Sequence, residues 1–441
     1  MLNFIAVNAA KRVAELIKFL KLGQASALPG RVALAVNPRI LQDFARDLKD
    51  GKFAFFVTGT NGKTTSTGIL KQIILAAKPG KQSVICNDMG ANLYYGICAE
   101  LVLSTNYWGK LKTKDYSLEL DEAAFVKVAQ NLKPKVIVVT NIYRDQLDRF
   151  GEVDATQKLI IDGIKNALTN NGQVTLVLNA DDNKVLEIQN SFENNPQVKI
   201  FLFNVKYSKN AGSSVDGEIL NLEQDTHGKN ISVDFSCEIQ EEKSDYSILK
   251  FTARNSSSEP VTLHLPGLYN TYNATSAAAA GFASGIAFEQ IKKGVEAYQT
   301  VFGRSEKRTY KDKEYQVFLI KNPTGCSEVV RHLCKNPKAK FLIAINDNYA
   351  DGRDVSWLWD ADFEKMVAIN QAHMEREFLC SGHRAYDMAT RLKYAGIAEK
   401  NIQVKPNLEE ALDEFVGNAK ADEELYMLPT YTVLLELNQK F

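Results

Sequence analysis

The sequence predicts an α/β protein built on a mostly parallel sheet, followed by a second, smaller α/β domain. Short runs rich in Val, Ile and Leu alternate with helical stretches, which is typical of a parallel sheet covered by helices on both faces. A polar stretch with short alternating strands interrupts this pattern between about residues 190 and 266, and the alternation restarts near residue 303. These features predict two α/β domains, with an antiparallel excursion inside the first.

Composition limits the class of protein. A chain of 441 residues is too long for one ordinary core, so two or three domains are expected. The chain carries 53 basic and 53 acidic residues, so no basic excess indicates a nucleic-acid partner. A hydrophobic fraction of 45% and a charged fraction of 24% are ordinary for a soluble globular enzyme.

The first 22 residues predict an amphipathic helix that packs on the protein. Four basic residues interrupt its apolar positions: Lys11, Arg12, Lys18 and Lys21. Because charges inside an apolar stretch argue against a secretory signal or a membrane span, we expect a cytoplasmic protein that is not integral to the membrane. Contact with a membrane surface is the alternative. Leu28-Pro29-Gly30 is expected to close the helix, and residues 38–48 to form a second one.

The most informative stretch joins a predicted strand over 53–57 to a predicted helix over 65–77. The order strand, glycine-bearing turn, Lys-Thr, helix suits a phosphate-binding loop, because N–H groups at a helix N-terminus point at the anion. Lys63 supplies a positive charge, and the Thr64 hydroxyl can reach Mg²⁺. Val57 stands where the general pattern has its first glycine. We expect seven residues to contact ATP: Gly59, Thr60, Asn61, Gly62, Lys63, Thr64 and Thr65.

A magnesium ligand is expected at the end of a neighbouring strand. In parallel sheets, ligands collect beyond the carboxyl ends of the strands. Glu119 ends the predicted strand over 116–120, and its carboxylate can hold Mg²⁺ together with Thr64. Asp121 and Glu122 are alternative ligands, although both could simply begin a helix and favour its dipole.

The remaining elements follow from the same periodic signals. Further strands of the first domain are predicted over 83–86, 135–140 and 174–178. The excursion adds strands over 231–235, 247–253 and 261–265, followed by alanine-rich helices over 273–285 and 288–298. In the second domain, strands are predicted over 316–320, 341–345, 378–380 and 425–428, and the boundary between the domains falls near residues 300–311.

Several motifs, found in family order, resemble the Mur ligase family. The loop over 58–65 resembles its ATP loop, and Asn179-Ala180-Asp181-Asp182 also recurs in that family. So does Thr140-Asn141 followed by residues 144–152, where Gln146 replaces the usual histidine. The resemblance implies the family's central ATP-binding domain.

The resemblance extends to the adenine side of that domain. Residues 267–273 resemble a family motif that contacts the nucleotide, with Tyr269 in place of a histidine. Arg304 resembles the linker arginine that reaches the phosphates. Nucleotide contacts are therefore implied for Asn270, Asn273 and Arg304.

The second domain resembles one amidating branch of this family, the ligase-like subunits of lipid II isoglutaminyl synthases. The stretch over 346–360 carries the resemblance, supported by residues 321–325. It implies a Rossmann-like C-terminal domain and ATP-dependent amidation of the D-glutamate α-carboxylate in the lipid II stem peptide, through an acyl phosphate. It also implies a heterodimer with a GatD-type class I glutamine amidotransferase that supplies ammonia, at the inner face of the plasma membrane.

One aspartate in that stretch is implied to complete the catalytic set of the partner glutaminase. A nucleophilic cysteine is activated by a histidine, which a third polar group orients. By position the role falls to Asp354, with Asp351 as the alternative. Either carboxylate could instead cap a turn. Trp357 and Trp359 are either core residues or anchors for a partner.

No zinc site is expected. Members of this family commonly carry a four-cysteine ribbon in the middle domain, whereas residues 206–247 contain only Cys237 and His227. One cysteine and one histidine cannot build a tetrahedral structural site. The six cysteines form no C-x-x-C pair, which favours reduced structural thiols.

Two other functions compete with the amidating ligase. One is a ligase that adds an amino acid in Mur or folylpolyglutamate fashion, and the other is a nucleotide-binding interaction protein without its own chemistry. The stretch over 346–360 argues against the first, and Lys63, Thr64 and Glu119 argue against the second. The predicted domains are an N-terminal helical segment (1–50), the central ATP-binding domain (51–303) and the C-terminal domain (304–441).

Overall fold

The computed structural model describes residues 2–19, 27–78, 80, 83–87, 91–143, 153–171, 173–208, 232–243, 246–254, 256–265, 267–299, 304–334, 336, 338–370, 377–420 and 422–440. These residues form two compact units. The first comprises residues 1–142 and 154–299, and the second comprises residues 300–441 with 143–153, of which 144–152 lie outside the described part.

The first unit begins with three helices and continues as alternating strands and helices. The helices are α1 (Leu2–Phe19), α2 (Leu28–Val36) and α3 (Ile40–Leu48). The alternating part runs β1 (Ala54–Thr58), α4 (Lys63–Ala76), β2 (Ile85–Cys86), α5 (Tyr94–Leu103), β3 (Tyr116–Glu119), α6 (Glu122–Val128), β4 (Val136–Val139), α7 (Val153–Asn171), β5 (Val174–Asn179) and α8 (Asn183–Glu187). The rest of the unit is β6 (Val198–Tyr207), β7 (Phe235–Glu242), β8 (Ser247–Ala253), β9 (Ser256–Ser257), β10 (Val261–Leu263), α9 (Leu268–Ala283) and α10 (Phe288–Ala297).

One ten-stranded sheet organises this unit. Its order is β10-β8-β7-β6-β5-β4-β1-β3-β2, with β9 paired to β8. In this sheet order, the neighbouring strands between β2 and β7 pair in parallel. Strand β8 pairs antiparallel with both β7 and β10. The mostly parallel sheet with an antiparallel excursion is therefore confirmed, and the carboxyl ends of β1, β3 and β4 meet at one edge.

The core of this unit lies against both faces of the sheet. On one face, Phe55, Val57 and Val138 pack with Ile69 and Ile73 of α4 and with the alanines of α9. On the other, the rings of Phe56 and Phe125 meet edge to face, with centroids 6.0 Å apart. The strands are buried on both sides, which explains why they appear in the sequence as continuous apolar runs.

The second unit is a smaller α/β layer structure. Its elements are β11 (Arg304–Tyr310), β12 (Lys313–Phe318), α11 (Pro323–Leu333), β13 (Ala339–Ala344), α12 (Lys365–Asn370), β14 (Phe378–Ser381), α13 (Ala385–Tyr394), β15 (Ile402–Val404), α14 (Leu408–Gly417), β16 (Glu424–Pro429) and α15 (Tyr431–Lys440). The sheet order is β11-β12-β16-β13-β14-β15, and every pair is parallel except β11 with β12.

Several predicted elements are wrong in position. Leu28-Pro29-Gly30 begins α2 rather than ending α1, because proline fits the first turn of a helix, where its missing N–H has no helical partner. The strand expected over 231–235 begins at Phe235. The strand Val198–Tyr207 was not predicted, and neither were Arg304–Tyr310 and Ile402–Val404.

All six cysteines are buried, and none forms a disulfide. Burial raises the pKa of Cys98, Cys237 and Cys380 to about 12, so these thiols remain protonated near neutral pH. This agrees with the prediction of structural thiols, since the thiolate is the reactive form. Most of the stretch expected to lack a zinc ribbon, including His227, lies outside the described residues, so the absence of zinc stays a prediction.

Candidate active site

The phosphate loop connects β1 to α4, and its two glycines adopt positive φ angles. Gly59 has φ 122° and Gly62 has φ 81°, a region that side chains other than glycine rarely occupy. Gly62 is the N-cap of α4 and, having no side chain, leaves the backbone N–H groups of the first turn without a capping bond from the N-cap residue. A Cβ at Gly62 would lie 1.8 Å from Oδ1 of Asn273, and one at Gly59 would lie 2.5 Å from Oγ1 of Thr140. The geometry therefore requires glycine at both positions.

The end of β4 holds this loop in place. The carbonyl oxygen of Asn141 accepts a hydrogen bond from the Thr60 N–H at 2.9 Å, and its side-chain Oδ1 accepts one from the Asn61 N–H at 2.8 Å. The Thr140 hydroxyl donates to the Asn61 carbonyl at 2.7 Å. Thr140-Asn141 thus fixes the loop backbone, which preorganises it for an anion.

Lys63 is buried beneath the loop. Its ammonium group donates hydrogen bonds to the carbonyl oxygens of Gly59 and Thr60 and forms an ion pair with Glu122, with Nζ and Oε1 3.1 Å apart. Both side chains of the ion pair are buried. A buried cation held by a carboxylate and two carbonyl oxygens is a fixed positive charge inside the loop.

Thr64 and Glu119 form the pair of oxygen groups that Mg²⁺ would need. The Thr64 hydroxyl donates to Oε2 of Glu119 at 2.6 Å. Hydroxyl and carboxylate oxygens are ligands that Mg²⁺ accepts, and this ion keeps several waters when phosphate oxygens complete its shell. Among the described residues no group of three or more His, Cys, Asp or Glu side chains gathers as a metal site. The Thr64–Glu119 pair therefore fits a magnesium ion bound chiefly through nucleotide phosphates.

Two asparagines orient Glu119, and sequence reasoning missed both. Asn92 donates from Nδ2 to Oε1 of Glu119 at 2.9 Å. Asn87 accepts from the Glu119 N–H and donates to the Glu119 carbonyl, both at 2.8 Å. Asn87 follows the two-residue strand β2, and Asn92 lies in the connection to α5. No motif or periodic signal marks either residue in the sequence.

The three carboxylates that the sequence offers as alternative magnesium ligands make different contacts in the structure. Asp121 is the N-cap of α6, where its side chain accepts from the N–H groups of Ala123 and Ala124. Glu122 is the partner of Lys63. Of the three, the contacts place Glu119 beside Thr64.

The two asparagines for which the sequence predicts nucleotide contacts lie at the start of α9. Asn270 and Asn273 are both buried, and the Asn273 amide lies against Gly62 of the loop. The Asn273 carbonyl also accepts a hydrogen bond from the hydroxyl of Ser66 in α4. The structure therefore brings Asn273 to the phosphate loop, and Asn270 accepts a hydrogen bond from Asn273 at 3.4 Å.

Other residues of the resembling motifs have structural partners or lie outside the description. Asp182 caps α8 through Val185 and accepts from the Ile142 N–H, and burial raises the pKa of its carboxyl group despite these bonds. Asp181 accepts from the Tyr272 hydroxyl at 3.0 Å, which ties β5 to α9. Arg304 begins β11, and its side chain is not described. Residues 144–152, with Gln146, also lie outside the described part.

The contact between Gly62 and Asn273 gives a direct test. Gly62→Ala combines an unfavourable φ with a clash, so we expect the free energy of unfolding to fall by about 2–4 kcal/mol and nucleotide affinity to fall at least about tenfold. Gly285→Ala is the matched control, because Gly285 has the same φ of 81° and nothing within 4 Å of its added Cβ. It should cost about 1–2 kcal/mol and leave nucleotide binding unchanged. Equal nucleotide affinities in the two variants, measured by calorimetry, would contradict a role for Gly62 in the phosphate site.

In the second unit, Asp351 and Asp354 have different surroundings. Asp351 is buried, and its carboxylate accepts from the Thr432 N–H at 2.7 Å, from the Thr432 hydroxyl and from the Asn348 N–H. Burial raises its pKa, although these hydrogen bonds oppose the shift. Asp354 is exposed, and its Oδ1 accepts from the Ser356 N–H at 2.8 Å. Asp351 therefore anchors the loop to α15, while Asp354 presents its carboxylate at the surface.

Polar residues accompany this loop at the carboxyl ends of β13 and β14. Asp347 pairs with Arg384, with Oδ2 and Nη2 2.7 Å apart, and lies 3.6 Å from Nδ1 of the exposed His383. Burial opposes ionisation of Asp347, but the Arg384 hydrogen bond and charge outweigh it and lower its pKa. Asn346 links this group to α15 by donating from Nδ2 to the Thr432 hydroxyl at 3.2 Å.

The two tryptophans after this loop differ. Trp357 packs against the core of the second unit, whereas Trp359 is 52% exposed and meets the Tyr394 ring edge to face at 5.5 Å. Asn322, in the other stretch that carried the resemblance, caps α11 by accepting from the Gly325 N–H at 2.8 Å. Trp357 is thus half-buried against the core, and Trp359 is exposed enough to meet a partner.

Comparison with protein families defines the class of this chain. The Mur ligase middle domain family matches residues 57–281, which contain the phosphate loop, Glu119, Asn270 and Asn273. The MurT ligase C-terminal family matches residues 319–434, which contain Asp351 and Asp354. Together with the fold and the loop geometry, these matches define a ligase of the Mur class.

Comparison with curated proteins narrows the class. The MurT subunit of the glutamine-hydrolysing lipid II isoglutaminyl synthase of Streptococcus pneumoniae is 31% identical over 441 aligned residues, covering 95% of this chain and 93% of that protein. The subunit of the same name from Staphylococcus aureus strain COL is 30% identical, covering 84% of this chain and 83% of that protein. The chain belongs to the MurT family.

Solved structures share the fold at low sequence identity. The crystal structure of MurF from Acinetobacter baumannii superimposes with a TM-score of 0.66 at 17% identity, covering 93% of this chain and 81% of that one. MurF from Thermotoga maritima in complex with ADP gives a TM-score of 0.63 at 13% identity, with coverage of 92% and 84%. The Mur ligase-like fold expected from the sequence is confirmed.

Proposed function

We propose that the chain is the ATP-dependent subunit that amidates the α-carboxylate of D-glutamate in the lipid II stem peptide, giving D-isoglutamine for peptidoglycan synthesis. The observation that carries the proposal is the combination, in one chain, of the Thr64–Glu119 phosphate site with a MurT-type C-terminal region. Relatives that match most of the chain are named as subunits of lipid II isoglutaminyl synthase.

The chemistry requires activation of a carboxylate, which is a poor electrophile. A carboxylate oxygen of D-glutamate attacks the γ-phosphorus of ATP, the bond to the β-γ bridging oxygen breaks, and ADP leaves. Ammonia then attacks the acyl carbon of the resulting acyl phosphate, and inorganic phosphate leaves with the bonding pair. The nitrogen loses a proton, so the products are the amide, ADP and phosphate.

We propose roles for the site residues from their contacts and from the family resemblance. Lys63 would exchange the carbonyl groups of Gly59 and Thr60 for phosphate oxygens and balance the charge that develops on them. Thr64 and Glu119 would hold Mg²⁺, which supplies further neutralisation of phosphate charge when bound. The family resemblance assigns Asn270 and Asn273 to the nucleotide, together with Arg304 of the second unit, and Gly59, Thr60, Asn61, Gly62 and Thr65 to its phosphates.

Ammonia is proposed to come from a partner. The expected partner is a GatD-type class I glutamine amidotransferase that carries its own Cys and His, bound as a heterodimer. Asp354 is exposed on the loop after β13, where it can contribute a carboxylate to the partner's histidine. We propose that residues 51–303 bind ATP and that residues 304–441 contact the partner. Residues 1–50 are the N-terminal helical segment.

The lipid-linked substrate places the proposed reaction at the inner face of the plasma membrane. Among the residues the structure describes, no helix is both long enough and apolar enough to cross a bilayer. In this proposal the protein reaches lipid II from the cytoplasmic side, with the stem peptide extending from the membrane.

Copurification and turnover test this proposal. The chain is co-expressed with a candidate glutaminase, and ATP hydrolysis and amidated lipid II are measured with glutamine, ammonium or single amino acids. We expect turnover with lipid II and either glutamine or ammonium. Turnover that depends on an amino acid would support an amino-acid-adding ligase instead, and nucleotide binding without any turnover would support a non-catalytic binding protein.

A further inference from the structure

The N-terminal helix and the loop over 105–114 form one continuous surface, called here the N-terminal surface. The rings of Phe4 and Trp108 lie 6.1 Å apart, and Asn8 donates from Nδ2 to the Tyr107 carbonyl at 2.9 Å. Lys11 donates to the Thr105 carbonyl, and its ammonium lies 5.2 Å from the centroid of the Tyr107 ring. These contacts fix the aromatic loop against the first half of α1.

This surface exposes large apolar side chains. Trp108 is 77% exposed and Phe19 is 83% exposed, and five further apolar or aromatic residues are also exposed: Leu2, Phe4, Ile5, Leu16 and Tyr107. The opposite side of α1 is buried through Ala6, Val7, Ala10 and Ala14.

The exposed residues follow a helical stripe. Ile5, Ala9, Arg12, Leu16 and Phe19 recur at intervals of three and four residues, so they lie on one face of α1. Apart from Arg12, this face carries apolar side chains, and together with the exposed tryptophan it indicates a surface that something covers.

The charge of the N-terminal surface differs from that of the chain as a whole. Residues 2–19 and 105–114 carry six Lys or Arg and one acidic residue, Glu15, in a chain of zero formal net charge. Glu15 pairs with Arg12, and Lys114 pairs with Asp50. Lys110 and Lys112 are exposed beside Trp108. Burial and the neighbouring Lys112 lower the pKa of Lys11, as expected where basic groups are crowded.

We propose that the N-terminal surface binds the headgroup region of an anionic lipid bilayer. Tryptophan and tyrosine favour the boundary between hydrocarbon and water, and exposed lysines attract anionic headgroups. A helix with an apolar outward face and flanking basic residues lies in the plane of such an interface. A protein partner fits less well, because the cores of protein interfaces are depleted in lysine. This inference goes beyond the proposed reaction and rests on surface chemistry.

Vesicle flotation tests the inference with the full chain and its copurified partner. Vesicles of phosphatidylglycerol and phosphatidylcholine are compared with vesicles of phosphatidylcholine alone, and neither contains lipid II. We expect flotation with the anionic vesicles only, decreasing as salt is raised. Trp108→Ser should weaken binding about tenfold, and Lys110→Glu with Lys112→Glu at least as much. Tyr386→Ser, an exposed aromatic residue of the second unit, is the matched control and should leave binding unchanged.

A second readout reports insertion directly. Brominated lipid should quench tryptophan emission in the wild type and quench it less in Trp108→Phe. Absence of flotation with anionic vesicles, or equal flotation of the Trp108 and Tyr386 variants, would overturn the proposal. So would loss of partner copurification in Trp108→Ser with vesicle binding retained, because the surface would then be a protein interface. The flotation and quenching assays do not measure amidation, so their results do not depend on whether the chain amidates lipid II.

Discussion

Lys63→Ala is expected to abolish ATP-dependent amidation of lipid II, with a loss in turnover of at least about a hundredfold. The Lys63 ammonium is the fixed cation of the phosphate loop, held by the carbonyl groups of Gly59 and Thr60 and by Glu122. The negative charge that develops on the transferred phosphoryl group needs such a cation. The rate is measured with the copurified complex, lipid II, ATP and ammonium, so that the glutaminase reaction does not limit it.

The buried ion pair complicates this variant, and a second substitution separates stability from chemistry. Removing one partner of a buried pair leaves an uncompensated charge and typically costs about 3–5 kcal/mol. In Lys63→Met with Glu122→Gln, neither charge remains, so the fold should be retained while amidation stays lost. Lys293→Ala is a control for the loss of a lysine, because Lys293 forms an exposed pair with Glu289. This control should change the free energy of unfolding by less than about 1 kcal/mol and leave turnover unchanged.

The double variant decides between an enzyme and a nucleotide-binding interaction protein. If the Lys63→Met, Glu122→Gln protein unfolds at the wild-type temperature and still amidates lipid II at the wild-type rate, Lys63 has no catalytic role. The phosphate-loop interpretation would then be wrong. Loss of turnover with normal unfolding would show that the cation acts in the reaction itself.

The sequence could predict those parts of the site that lie close together along the chain. The strand, the two glycines, Lys63 and Thr64 occupy one short segment, and backbone geometry dictates their order. Glu119 could be proposed because it ends a neighbouring strand of a parallel sheet. The sequence could not show which of Glu119, Asp121 and Glu122 points towards Thr64. That depends on the side-chain directions where β3 ends and α6 begins.

Residues that act through long-range contacts could not be predicted. Asn87 and Asn92 orient Glu119 across more than twenty-five residues of sequence, from a connection without regular periodicity. The family resemblance implied a nucleotide contact for Asn273, but its contact with Gly62, which lies far away in the chain, could not be predicted. These contacts arise from tertiary packing, so no local sequence pattern predicts them.

The errors in the fold have local causes. Pro-Gly at 29–30 suggests a helix end, yet proline at the first helical turn is favourable, and the structure begins α2 there. The strand Val198–Tyr207 is rich in β-branched and aromatic residues, which is a usable signal, but polar residues precede it and obscure where it begins. It pairs in parallel with β5 and β7, so the excursion turns antiparallel one strand later than the sequence indicated.

Asp354→Asn should suppress glutamine hydrolysis by the copurified complex by roughly 10²- to 10⁴-fold, while amidation with free ammonium continues. Asparagine keeps an oxygen that can accept from the Ser356 N–H, so the loop should retain its conformation. It lacks the negative charge that would orient and stabilise a protonated histidine in the partner. Glutamate release and lipid II amidation are measured in parallel, with glutamine and with ammonium.

Asp351→Asn distinguishes a catalytic carboxylate from a structural one. Asp351 accepts hydrogen bonds from the N–H groups of Thr432 and Asn348 and from the Thr432 hydroxyl. An asparagine can satisfy only part of this set, so we expect about 1–3 kcal/mol of destabilisation and weaker copurification of the partner. A selective loss of hydrolysis in Asp351→Asn, with Asp354→Asn fully active, would transfer the assignment to Asp351.

The two aspartate variants also test whether the two reactions are separable. If Asp354 serves only the glutaminase, ammonium should bypass the defect, because the proposed activation of the carboxylate by ATP does not involve Asp354. Equal loss of glutamine-driven and ammonium-driven amidation, with the partner still bound, would mean that the loop after β13 acts on the ligase reaction itself. Asp354 would then act in the ligase reaction rather than in the partner's glutamine hydrolysis.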